Sequence, residues 1–255
     1  MYSHNFSGFE AGLLVQNLHS VRERVWLTTA IPLNTQRLKM LRINNLIFLD
    51  SLSFLPMSLE KVGAMLLSSS HSWPLMRQRK WGTLFDENNA VDEEECLSLL
   101  WRKGCYPYRW LRSVDCLHAT KALPVREEFF SDIGDQPISE EDYSHAQKVW
   151  TLFRCRDMYD YTLLYNLVDS YLLAEGMMDM KKRIWEDSEV DLGVYLSLPM
   201  LSKDLMLLHT GARLQLLDDV EMVRLCKQVR KAVMYWSCRS SEIPSHESIG
   251  KAVEY

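Results

Sequence analysis

Apolar residues recur at a spacing near 3.6 between Asp157 and Asp179, in DMYDYTLLYNLVDSYLLAEGMMD. Leu164, Leu167, Val168, Leu172 and Leu173 fall on one stripe, which predicts a helix. Tyr165 and Asp169 are four residues apart and share a face of it. A phenol and a carboxylate stacked in this way could serve a metal-dependent hydrolytic site. Taken as an isolated pair, they read more simply as a surface aspartate with a tyrosine packed below.

The same reasoning divides the rest of the chain. Ser7 and Gly8 open a helix that buries Phe9, Leu13, Leu14 and Leu18. Val25–Ile31 is β-branched and aromatic, and Leu41–Asp50 is a second β-type run. Turn chemistry at Pro32-Leu33-Asn34 separates them, so an antiparallel pair is expected. A helix from Ser58 to Leu67 is capped by Ser58. The acidic run Asp92–Glu95 starts another that continues to Trp101 and stops at Gly104. Ser139 caps a helix with Asp142 at its third position and Tyr143, Ala146, Val149, Trp150 and Phe153 on its apolar face. Arg154–Asp157 breaks it. Leu192–Leu208 is mixed, and Asp218-Asp219 opens a last helix to about Val233, before a loose polar tail.

Composition narrows the classes. The 255 residues are 47% hydrophobic and 25% charged, enough for one large core or one domain and part of a second. The net charge of −5 gives no global basic field, so any nucleic acid would bind in a local groove. Six cysteines form no C-x-x-C pair and read as reduced thiols of an intracellular, non-secreted protein, in nucleus or cytoplasm. Seven histidines lack ligand spacing, so zinc is not expected. No apolar run reaches a membrane span, and nothing signals an oligomer. Most of the eight tryptophans read as core or half-buried packing.

Five stretches, in order, carry a resemblance: SHNFSGFEAGLL, FLDSLSFLPMSLEKV, LLWRKGCYPY, LPVREEFFSDIGDQPISEEDYSHAQKVW and LYNLVDSYLLAE. Together they resemble the 3′–5′ proofreading exonuclease region of family-B DNA polymerases, in the protein-primed group of phages, linear plasmids and Polinton/Maverick transposons. The likeness runs from about Ser3 to Lys231. It implies that Asn5, Phe9 and Glu10 stand for the second exonuclease motif and Tyr165 and Asp169 for the third. Ser51-Leu52 would touch single-stranded substrate, and Lys103 would be the catalytic lysine.

The resemblance further implies two Mg²⁺ or Mn²⁺ ions, about 3.5–4 Å apart, clamping the scissile phosphate of single-stranded DNA or a primer 3′ end. Glu10 and Asp169 would be metal ligands, Tyr165 would orient the attacking water, and Lys103 would neutralise phosphate charge. Asn5 and Phe9 would position the 3′ end. Three departures stand against activity. No Asp-x-Glu strand precedes Asn5, so the chain is expected to be cut short there. Glu10 replaces the usual aspartate with one extra methylene. No polymerase-palm motif follows Arg230-Lys231-Ala232.

Each residue also has a plainer role. Asn5 serves a helix-entry turn, Glu10 favours a helix N-terminus, Ser51-Leu52 is a strand exit, and Lys103 is one of a solvated pair with Arg102. The expected fold is α/β, a mixed sheet flanked by helices, similar to the ribonuclease-H-like exonuclease fold and incomplete at the N-terminus. Residues 1–185 would form the exonuclease-like domain, 186–235 a helical segment and 236–255 a tail. The expected function is that of a degenerate polymerase relic, involved in DNA replication and proofreading by likeness and without catalysis of its own. The rival is a non-catalytic DNA-binding or protein-interaction module. A basic groove of Arg102, Lys103 and Arg109 would favour DNA, and an exposed apolar sheet edge would favour a partner.

Overall fold

The computed structural model describes residues 1–8, 10–18, 20, 25–34, 37–69, 71–89, 91–132, 134–214 and 218–239, with side chains to 229. The chain is α/β, with a small mixed sheet whose strands β1 (Tyr2–Ser3), β2 (Thr28–Pro32), β3 (Leu38–Ile43) and β4 (Leu46–Asp50) lie in the order β1-β4-β3-β2. Strand β1 lies parallel to β4. The antiparallel strands β2 and β3 complete it.

The run Leu41–Asp50 is not one strand. Asn44-Asn45 folds it into a hairpin in which Ile43 pairs with Leu46. Asn44 takes a positive φ of 53°, a conformation asparagine tolerates better than most residues. Its side-chain oxygen accepts from the backbone N–H groups of Trp26 and Leu27. Residues 25–27, expected in the first strand, lie outside β2, and Trp26 and Leu27 are tied to that turn instead.

Helix α1 (Glu10–Asn17) buries Ala11 against Phe6 and Leu41, with Leu14 and Phe48 packed alongside. Leu13, expected in the core, faces outward, and Phe6 supplies the buried ring. Phe9 lies outside the described residues.

The larger core forms where helices pack on one another. Helix α2 (Leu59–Ser68) is capped by Ser58, whose hydroxyl accepts from the Lys61 N–H. Helix α3 (Glu93–Leu100) is capped by Asp92, and α5 (Glu140–Leu152) by Ser139, which accepts from the Asp142 N–H at 3.0 Å. A short helix α4 (Cys116–Ala119) precedes α5. The long α6 (Met158–Ser188) contributes the buried stripe Leu164, Val168 and Leu172 to this core, with Leu100 and Val149 beside Leu164 and Val168 and α2 packed on the same helix. It runs well past Asp179. Its last turns are polar and carry the i,i+4 pairs Arg183–Asp179 and Lys182–Glu186.

Compact packing continues to Lys203, and Asp204–Tyr255 form a second unit. The segment expected to be mixed contains a helix, α7 (Leu198–Thr210), that stops at Gly211 with φ 63°. Helix α8 (Val220–Arg239) follows. Cys96, Cys105, Cys116, Cys155 and Cys226 are free thiols. Trp73 and Trp81 are buried and Trp101, Trp110 and Trp150 half-buried, as expected for most tryptophans, whereas Trp26 and Trp185 are exposed. Among the described residues no helix is long and apolar enough to cross a membrane.

Candidate functional site

The exit of β1 is built by Asp50, the last residue of β4. Its Oδ1 accepts from the N–H groups of Asn5 and Leu52, and its Oδ2 from that of Ser7. A buried carboxylate with three donors is well satisfied. It ties two chain segments, more than forty residues apart in sequence, to one point. The turn above it has Asn5 at φ 67°. A Cβ at Gly8 would lie 2.6 Å from the Asn5 Oδ1, so a larger residue there would displace the Asn5 side chain.

Beside this turn lies a cleft of about 1170 Å³. Asn5, Glu10, Leu52, Lys103 and Asp169 all line it, brought together from four separate stretches of the chain. His4, Asn166 and Ser170 line it as well. The sequence reading missed these three. Asn166 was readable as a same-face neighbour three residues before Asp169, and Ser170 as the residue four after Asn166.

Glu10 opens α1 and accepts a short hydrogen bond from the Ser3 hydroxyl. Lys103 follows α3 and places its Nζ 3.9 Å from Oδ2 of Asp169. The other Asp169 oxygen is buried with no hydrogen-bond partner. Burial pushes the Asp169 carboxyl above the ordinary aspartate range. The Lys103 ammonium, the Tyr165 hydroxyl and His4 offset only part of that.

Other candidates stand apart from the cleft surface. Ser51 is fully buried. Its hydroxyl donates to the Ser3 carbonyl and meets His4 Nδ1 at 2.9 Å, so it positions the β1 exit and cannot touch a ligand. Tyr165 lies behind the cleft with its hydroxyl 3.0 Å from that of Tyr108. Burial, the Tyr108 contact and the Asp169 charge all push its phenol up, keeping it neutral. The basic groove is not assembled. Arg102 pairs with Asp142, while Arg109 pairs with Asp132 and covers the Phe130 ring. Lys103 is thus left as the cationic side chain lining the cleft, against the carboxylates of Glu10 and Asp169.

Among the described residues, no group of three or more histidine, cysteine, aspartate and glutamate side chains is placed to hold a metal ion. Hard divalent ions need several oxygen ligands in near-octahedral array. The cleft carboxylates, one engaged by a serine and one facing a lysine, do not make the two-ion centre that the resemblance implies. No protein-family model, no curated protein and no solved structure matches the chain.

Proposed function

We propose that the cleft is a binding site for single-stranded DNA, derived from the proofreading exonuclease region of a family-B DNA polymerase on a ribonuclease-H-like scaffold. In this reading the chain lacks a complete metal centre and has no robust catalysis of its own. The basic groove that would favour DNA is not assembled, so the proposal is carried by one observation: Asn5, Glu10, Leu52, Lys103 and Asp169, each singled out from sequence, line one cleft. Asn5 would hydrogen-bond a base or sugar edge. Leu52 would pack on an apolar face, and Lys103 would meet a phosphate as a point charge.

With two carboxylates against one lysine, binding is expected to be weak and strongly salt-dependent, the slope changing by about 0.7 for each phosphate contacted on a single strand. Fluorescence anisotropy with an oligothymidylate tests it. Lys103→Gln should weaken binding, and an unmodified chain that binds no single strand at low salt overturns the reading. A nuclease assay with Mn²⁺ tests the second half. Robust degradation that Asp169→Ala abolishes would mean that the centre is competent.

A second reading, a protein-interaction module, is favoured by the β2 edge. Every residue of β2 is exposed, and Trp26, Ile31 and Leu33 stand exposed along it. Such an edge accepts an added strand. Sedimentation of the wild type against Ile31→Lys measures whether it self-associates.

A further inference from the structure

A second cavity, about 540 Å³, opens on the same helix and is lined by Leu75, Gln78, Arg79, Ser170, Tyr171 and Ala174. Ser170 lines both this cavity and the cleft. From Asp169 to Ala174 the α6 axis advances about 7.5 Å. A flexible chain leaving the cleft over Ser170 therefore reaches the second cavity at once.

The charge of this cavity differs from that of the cleft. No acidic side chain lines it. The Arg79 guanidinium lies over the Trp81 ring, 5.4 Å from its centroid. Trp81 is itself immobile: it is fully buried, its Nε1 donates to the Met76 carbonyl at 2.8 Å, and Tyr171 packs edge-on against it at 5.1 Å. Among the described residues no carboxylate pairs with Arg79, and its Nε is buried with no acceptor. Arg77, Arg102, Arg109, Arg154, Arg156, Arg183 and Arg224 each have an acidic partner, whereas Arg79, like Arg37, Arg42, Arg112, Arg126 and Arg213, has none among the described residues; the buried, unpartnered Nε is what sets Arg79 apart. An arginine beside an aromatic ring, with no acidic partner among the described residues, keeps its guanidinium donors for an oxyanion that can accept two hydrogen bonds, as a phosphate does.

We propose that Arg79, with Gln78 beside it, forms a phosphodiester subsite for the nucleotide adjoining the cleft. The subsite rests on the single-stranded DNA reading above and extends it to a path along α6. Its ligand is the backbone phosphate, so it adds affinity without base preference.

The test uses the full chain and fluorescently labelled oligothymidylates of three and of ten nucleotides, the shorter filling the cleft alone. Arg79→Gln is expected to weaken the longer ligand about tenfold, lower its salt slope by about 0.7 and leave the shorter one unchanged. Arg79→Lys, which keeps the charge but loses the fork, should recover only part of the loss. Lys103→Gln should weaken both lengths. If Lys103→Gln weakens the longer ligand and Arg79→Gln does not, the subsite is overturned while the cleft reading stands. Equal weakening of both lengths by Arg79→Gln also overturns it. If neither length binds the unmodified chain, both proposals fall. Thermal unfolding of each variant excludes a folding defect, and binding of inorganic phosphate that Arg79→Gln abolishes, with no weakening of the longer oligonucleotide by the same change, would mark a simple anion site and overturn the path.

Discussion

Lys103 faces Asp169 across 3.9 Å, yet only one oxygen of that carboxylate has the contact; the other is buried and unpartnered. Asp169 is thus a charge held where the fold does not fully compensate it. Its carboxyl is raised above the unfolded value. Between the unfolded and folded values the folded chain binds the extra proton, so stability rises as pH falls through that window. Above the window the charge is a standing cost. Asp169→Asn is expected to stabilise the chain at neutral pH by on the order of 1 kcal/mol, a rise in Tm of roughly 2–4 °C. The advantage should shrink as the pH drops through the carboxylate range. A variant less stable than wild type at neutral pH, or a gap that widens on acidification, would contradict this account. Thermal melts at a series of pH values measure it.

Asp50 gives a graded series. It accepts from three backbone N–H groups at 3.0–3.1 Å. Asp50→Ala leaves all three buried donors unmet and should cost about 3 kcal/mol or more, since one unsatisfied buried group costs roughly 1–3 kcal/mol. Asp50→Asn keeps one acceptor oxygen, so it should lose less. Because the turn that carries Asn5 hangs on this carboxylate, cleft binding should fall in the same order as stability. Denaturant midpoints paired with oligonucleotide anisotropy would expose any departure from that order.

The elements that the sequence foretold are those whose cause is local. Ser58, Asp92 and Ser139 cap their helices through groups two or three residues away, and the stripe on α6 needs only periodicity. What escaped depends on distant partners or on a turn hidden in an apolar run. Asn44-Asn45 breaks LRINNLIFLD because one asparagine adopts a positive φ and binds Trp26 and Leu27. Arg102 and Arg109 looked like a basic groove, but the acids that neutralise them lie at 142 and 132. At the site, the resemblance named residues that share the cleft, whereas Ser51 and Tyr165 are drawn away by contacts with His4 and Tyr108. No periodicity in the chain reports such pairings.

Glu175 was invisible for the same reason. It is fully buried on α6. Its Oε1 accepts from the N–H groups of Leu75 and Met76, and its Oε2 meets His71 Nε2 at 3.0 Å. The far side of that ring faces Asp179 at 3.4 Å. The carboxylate fixes the 71–76 loop, and with it one wall of the Arg79 cavity. Glu175→Ala should cost roughly 3–5 kcal/mol, the usual loss on breaking a buried charged network. Glu175→Gln keeps the acceptor for both backbone donors and can face His71 if the imidazole changes tautomer, so about 1 kcal/mol is expected. Urea midpoints at unchanged slope would measure both. Equal losses in the two variants would mean that the charge, not the acceptor geometry, is what matters.

The crossing of α2 and α6 rests on Gly176. A Cβ at that position would lie 2.6 Å from Val62 Cγ1 and 3.4 Å from Leu55 Cδ1. In an isolated helix, glycine to alanine gains about 1 kcal/mol. Here the overlap forces the helices apart or drives Val62 off its rotamer, at about 1–3 kcal/mol or more in a packed core. The steric loss should exceed the propensity gain, so Gly176→Ala is expected to destabilise the chain even though alanine is the better helix former. Val62→Ala alone should also destabilise, by opening a void beside Gly176 and Leu55. Combined, the two changes add one methyl and remove two across the same contact, Val62 Cγ1 among them, and the double variant should be more stable than the sum of the single losses predicts. A double-mutant cycle by chemical denaturation reads this coupling directly. Additive losses would show that the two side chains do not share the space assigned to them.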